Sequence, residues 1–214
     1  LQLLEHDLPV LRFPGNSGAS HKPKRLGNYR FVLPREIKNA LTKVSRENNV
    51  TLFAVIYAVY NYFLSVLCGE KIVAASILSA GRDHPALQNV VGFFVNPVLS
   101  SIAIDTENVF TDFVKDVQRH VHQCFRHQHY PVELVLDETG RTYPEITAAF
   151  NMLNYGDSGH GDIDDFGPVH STDIAVQAAK YDLEPAVREY RNGIEIQAAY
   201  NKNLITPANI EVMM

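Results

Sequence analysis

Tryptophan is absent from the 214 residues, and cysteine (two) and methionine (three) are scarce. Two thiols, Cys68 and Cys124, cannot build a disulfide framework, so a reduced, cytoplasmic setting is expected. Charge of one sign is also in short supply: 19 Lys and Arg against 24 Asp and Glu give a formal net charge of -5. That balance lacks the concentrated basic charge of a nucleic-acid-binding surface. Long apolar runs are missing too. The longest, Leu52 to Cys68, is broken by Asn61 and Ser65, and a membrane span needs about 20 mostly apolar residues. Residues 1–20 show no basic start followed by an apolar run, the mark of a signal peptide. No glycine-rich dinucleotide loop, nucleotide-phosphate loop or zinc-protease HExxH is present. What remains is a chain with 46% hydrophobic and 20% charged residues, enough apolar material for the core of one large domain or lobe. It begins without Met and ends on Met213 and Met214 inside a helical pattern, so both ends are expected to be cut.

Residues 1–28 hold Pro9, Pro14, Gly15, Gly18, Pro23 and Gly27 with little periodicity and read as an extended linker. Pro34 opens a helix whose Ile37, Ala40, Leu41 and Val44 form one stripe. Thr51 is placed to cap a second helix, which runs to about Leu67 and closes at Gly69. This helix is apolar nearly all round and is expected to be buried on most sides. Ile72 to Leu78 and Val98 to Ile104 have strand length. Phe110 to Phe125 is an amphipathic helix with Phe110, Phe113, Val114, Val117, Val121, Cys124 and Phe125 on one stripe. Thr147 to Tyr155 reads as a strand and Tyr155 to Gly167 as a loop. Tyr181 to Tyr190 and Ile194 to Tyr200 flank Arg191-Asn192-Gly193, a hairpin signal. Thr206-Pro207 caps a last helix. Strands and helices alternate without repeats, so the class is α/β or α+β.

Four stretches carry a family resemblance. Ala80-Gly81-Arg82-Asp83-His84-Pro85 leads to Val91-Gly92-Phe93-Phe94-Val95-Asn96. His127-Gln128-His129-Tyr130-Pro131-Val132-Glu133 follows, with Val132 where the family usually has Phe, and then Lys180-Tyr181-Asp182-Leu183. Leu8-Pro9 and Val50-Thr51-Leu52-Phe53 lie upstream. In this order and spacing the blocks resemble the C-terminal lobe of a nonribosomal peptide synthetase condensation domain.

The resemblance implies a fold like chloramphenicol acetyltransferase, with two lobes in a V and a mixed sheet flanked by helices in each. It assigns 1–28 to the inter-lobe linker and 29–214 to the C-terminal lobe, with the N-terminal lobe absent and the last helix truncated. The implied activity is amide-bond formation between carrier-bound aminoacyl or peptidyl thioesters. The implied partners are the N-terminal lobe, peptidyl carrier proteins and an adjacent adenylation domain, with no nucleic acid and no membrane. No cofactor is expected to bind directly, since phosphopantetheine arrives on the carrier. The family's HHxxxDG motif belongs to the other lobe. None of the nine histidines here is in a His-His pair, so no catalytic base is expected in this lobe. Related possibilities are the same lobe from an epimerisation domain, a coenzyme A-dependent acyltransferase of the superfamily, or a scaffolding lobe that has lost catalysis.

By the same resemblance, Arg82 pairs with the Asp of the missing motif; a guanidinium suits this as a permanent charge with a planar fork of donors. Gly92, Phe93, Asn96 and Asn154 line the substrate tunnel. For Asn96 the choices are a bond to a pantetheine amide, a loop-holding bond or a turn at a core strand; for Asn154, a tunnel position or a turn before Gly156. Gly81, His127, Gln128, Pro131 and Asp182 are motif residues of structural role. His120 and Cys124, four apart, share a helical face, but the pattern favours exposed or helix-end histidines over a metal site. Asp157, Asp162, Asp164 and Asp165 lack the ligand spacing of a calcium loop. That region instead matches a segment which, in the family, crosses to the other lobe.

Overall fold

The computed structural model describes residues 8–14, 23–131, 134, 145–153 and 178–213. Six strands form one mixed sheet: β1 (Leu26–Pro34), β2 (Ile72–Ser79), β3 (Asn96–Ala103), β4 (Ala149–Leu153), β5 (Leu183–Tyr190) and β6 (Gly193–Asn201), in the spatial order β1-β6-β5-β4-β2-β3. The β5–β4 and β4–β2 pairs are parallel and the other three antiparallel. Among the described residues four α-helices accompany them: α1 (Arg35–Glu47), α2 (Leu52–Cys68), α3 (Phe110–Arg126) and α4 (Pro207–Met213). The α/β expectation holds.

Strand register aligns one apolar row across the sheet. Phe31 opposes Ile196, Ile196 opposes Val187, and Val187 opposes Met152, while Phe150 pairs with Ile77 and Ile77 with Val98. Paired residues share a sheet face, so this apolar row crosses every strand. Helices cover it, with α1 against β1 and β6, α2 against β2, and α3 against β3. At its centre Phe150 meets the rings of Phe53, Tyr57 and Tyr60 from α2 at centroid distances of 5.4, 5.1 and 5.5 Å, a spacing that adds to simple area burial.

The helix boundaries follow their caps. Thr51 Oγ1 accepts the Ala54 N–H at 3.1 Å, and Gly69 ends α2 at φ 70°. Thr206 Oγ1 accepts the Asn209 N–H at 3.1 Å and starts α4. Asn49, at φ 53°, turns the chain between α1 and α2; asparagine tolerates this left-handed region better than most residues.

Three expectations need correction. Strand β1 begins at Leu26, inside the segment that reads as linker, and Leu11 and Phe13 further upstream are core residues. Helix α2 buries Val55, Tyr57, Ala58 and Leu64 but leaves Val59, Tyr62 and Val66 exposed along one side; being apolar all round did not enclose it. The β5–β6 hairpin pairs Tyr190 directly with Gly193, leaving Arg191-Asn192 as the loop. Gly193 is needed there because a Cβ would lie 2.5 Å from the Leu33 carbonyl oxygen of β1.

Candidate functional site

The loop between β2 and β3 runs from Ala80 to Val95 and contains two of the sequence blocks. It leaves β2 at Ser79 and re-enters the sheet at Asn96, and these two residues pair in the ladder. Gly81 makes the first bend at φ 62°. A Cβ there would stand 2.1 Å from the Phe94 carbonyl oxygen, so the two limbs of the loop touch where no side chain fits.

Arg82 is the hub of this loop. One terminal nitrogen donates to the carbonyls of Leu87 and Val90 at 2.5 and 2.8 Å, and the other to the Gly92 carbonyl at 3.0 Å. Its guanidinium carbon lies 4.5 Å from the Phe94 ring centroid, within cation–π range. Among the described residues no carboxylate pairs with it. Among the described residues, three of its five N–H groups are thus committed, leaving Nε and one hydrogen of the second terminal nitrogen. Around this hub Val90 and Val95 are exposed, Val91 is fully exposed and Phe93 is 88% exposed. Phe94 lies half-buried beneath Arg82, and Val98 is buried.

The third block arrives from the end of α3. Ser79 Oγ and Gln128 Oε1 are hydrogen-bonded, and Ser79 Oγ also accepts the Gly81 N–H at 3.1 Å. Gln128 Nε2 donates to Asp83 at 3.3 Å. The Gln128 carbonyl accepts from the Asn96 side chain at 2.5 Å, so within the chain Asn96 holds a loop. His129 Nε2 lies 2.9 and 2.8 Å from the two Asp83 oxygens, and this partner holds the Asp83 carboxyl below its usual range. The three blocks, up to 46 residues apart, meet at one end of the sheet.

Other candidates lie elsewhere. His127 caps α3 through its backbone and is exposed, as is Pro131. Asp182 is buried beside β6, where Asn201 Nδ2 donates to it at 2.9 Å and Lys24 Nζ lies 3.1 Å away; it ties the segment before β1 to the hairpin. Asn154 and Asp157, Asp162, Asp164 and Asp165 lie outside the described residues. His120 is a correction: it is half-buried, with Nε2 3.2 Å from Ser100 Oγ and 3.4 Å from Cys124 Sγ. No third histidine, cysteine or acid joins that pair among the described residues. Desolvation lowers the pKa of His120 and pushes the Cys124 thiol up to about 11.

The His120 shift predicts a pH effect. Its pKa when folded lies below the unfolded value of 6.5, so below that pH the unfolded chain binds more protons. Stability from the neutral imidazole is complete above pH 6.5 and declines as pH falls from there through the folded pKa. The wild-type melting temperature should therefore fall more steeply than that of His120→Gln on acidification, as followed by circular dichroism. Parallel curves would remove His120 from the account.

The condensation-domain family model matches residues 1–214. The chain belongs to the condensation-domain family. It is 28% identical over 224 residues to one of the plipastatin synthase proteins of Bacillus subtilis (strain 168), covering 99% of this chain and 6% of that protein. To another plipastatin synthase protein of the same organism it is 32% identical over 160 residues, 72% of this chain and again 6% of the relative. The chain therefore spans a small part of these relatives. Among solved structures, the condensation domain of the monacolin K polyketide synthase MokA superposes with a TM-score of 0.76 at 13% identity, over 98% of this chain and 51% of that one. The first condensation domain of the calcium-dependent antibiotic synthetase, in complex with a substrate analogue, gives 0.72 at 16%, over 92% and 43%. These likenesses establish a condensation-domain fold. Within it, Ser79, Asp83 and His129 are the site residues whose contacts sequence reasoning missed. Asp83 and His129 stand inside the sequence blocks, but nothing in their spacing shows that they meet.

Proposed function

We propose that this chain is the C-terminal lobe of a condensation domain and works in amide-bond formation between carrier-bound thioesters. The acceptor amine would form the new C–N bond as the donor's C–S bond breaks, the amine giving up a proton and the carrier thiol leaving. The lobe would supply tunnel wall and acceptor-side surface around Gly92, Phe93 and Asn96, while an HHxxxDG base comes from an N-terminal lobe. One observation carries this reading: the Gly81–Pro85, Gly92–Asn96 and His127–Pro131 blocks assemble into one structure at one end of the sheet, in a chain with no His-His pair. Its coverage of 43% and 51% of two solved chains described as single condensation domains supports a half-domain. Carrier proteins bearing phosphopantetheine and an adenylation domain are the proposed partners, in the cytoplasm. No single described helix is long and apolar enough to cross a membrane.

The proposal also gives Val90, Val91, Phe93 and Val95 a cover, the N-terminal lobe, because contiguous exposed apolar patches are uncommon on soluble monomers. The test is complementation. The purified chain with loaded carriers should yield no amide product, since loss of a general base typically costs about 10²–10⁴-fold. An N-terminal lobe added in trans should restore product, raise the melting temperature and suppress self-association. Turnover by the chain alone, or a melting temperature indifferent to the added lobe, would overturn the half-site reading.

A further inference from the structure

We propose that Gln128 is a positioning residue: its side chain sets the start of the Ala80–Val95 loop through Ser79 and Asp83, its main-chain carbonyl holds the finish at Asn96, and together they fix how the loop presents Arg82 and Phe93. Its side chain makes two of these bonds and its main-chain carbonyl the third. Its amide oxygen bonds the Ser79 hydroxyl on the last residue of β2, its amide nitrogen reaches Asp83 early in the loop, and its carbonyl holds Asn96 on the first residue of β3. Ser79 passes the constraint to the Gly81 N–H, at the bend where the Phe94 carbonyl leaves no room for a Cβ. The arrangement depends on an amide. A carboxylate at 128 keeps the acceptor facing Ser79 but replaces the donor facing Asp83 with a like charge. The ionisable groups around that contact are Asp83, His129 on the α3 side and His84 within the loop.

The loop constraint is a property of this chain by itself; its effect on catalysis rests on the condensation reading, and the two are tested separately. Hydrogen exchange across residues 80–96 should be about tenfold faster in Gln128→Glu than in wild type near pH 8, the equivalent of one lost hydrogen bond. The gap should close as pH falls and the introduced carboxyl takes up a proton, regaining a donor toward Asp83. Gln128→Leu, of similar size, should show a gap that does not close. Ser79→Ala provides a second test should Q128E fold poorly, and it should accelerate exchange at the Gly81 amide. In an intact condensation domain the Q128E rate defect should recover with falling pH, whereas the Q128L defect should not. Unchanged loop exchange in Q128E and S79A overturns the proposal. A loop that responds in a protein that makes no amide supports the positioning role and counts against the condensation reading instead.

Discussion

Replacing Gly81 with alanine should destabilise the fold by about 3 kcal/mol, from about 1–2 for a left-handed backbone and a comparable amount for forced displacement of packed atoms. Gly69 supplies the control. Both glycines have nearly the same φ, 62° at Gly81 and 70° at Gly69, but a Cβ on Gly69 meets nothing within 4 Å, whereas on Gly81 it meets the Phe94 carbonyl oxygen at 2.1 Å. Gly69→Ala therefore reports conformational strain alone, at about 1 kcal/mol. The excess at Gly81 reports the collision between the limbs of the loop. Urea unfolding followed by circular dichroism measures both, and suits a protein without tryptophan. Equal losses at the two positions would mean that the limbs can separate freely and that their contact carries no constraint.

Arg82→Ala is the second large effect, and its size should depend on what else is bound. In this chain the substitution removes three bonds to carbonyls and the stacking on Phe94. Those carbonyls are near enough to the surface to bind water, so the net loss should be about 2 kcal/mol, well below the sum of three charge-assisted bonds. In an intact condensation domain, where the uncommitted donors would meet the motif Asp, the same change should cost more. Stranding one member of a buried ion pair is worth about 3–5 kcal/mol. Arg82→Lys should rescue little, because an ammonium cannot span three carbonyls in a planar fork. Denaturant midpoints for the chain and the intact domain, with amide synthesis in the latter, decide it. An equal loss in both would confine Arg82 to the organisation of its own loop.

Sequence showed the fold where one local signal acted alone. The Thr51 cap and Gly69 stop bounded α2, and the stripe from Phe113 to Cys124 gave the buried side of α3. It failed where signals competed. Tyr29, Phe31 and Leu33 alternate with Asn28, Arg30 and Val32 as a strand should, but the nearby prolines and glycines spoke louder, and the partner that makes β1 a strand is β6, at the other end of the chain. The site divided in the same way. The motif blocks pointed to Gly81, Arg82, Asn96 and Gln128, which lie together at one end of the sheet. That Gln128 bonds Ser79, or that His129 faces Asp83, depends on where α3 ends relative to β2, which no local pattern encodes.

The pairing of β1 with β6 also imposes a schedule on synthesis. Leu26 is matched to Asn201, so β1 leaves the ribosome roughly 170 residues before β6, its sheet neighbour, a wait of about 10–35 s at roughly 5–20 residues per second. Meanwhile the hydrogen-bonding edge of β1 is unpaired, and an unpaired strand edge invites wrong partners. Contacts this distant along the chain form late and slowly. Its polar residues suit the delay: Asn28 and Arg30 alternate with the apolar side chains, and Pro34 closes the strand with a residue that cannot donate to another sheet. Arg30 has a further use at the end of the wait, when it closes on the buried Glu195 of β6.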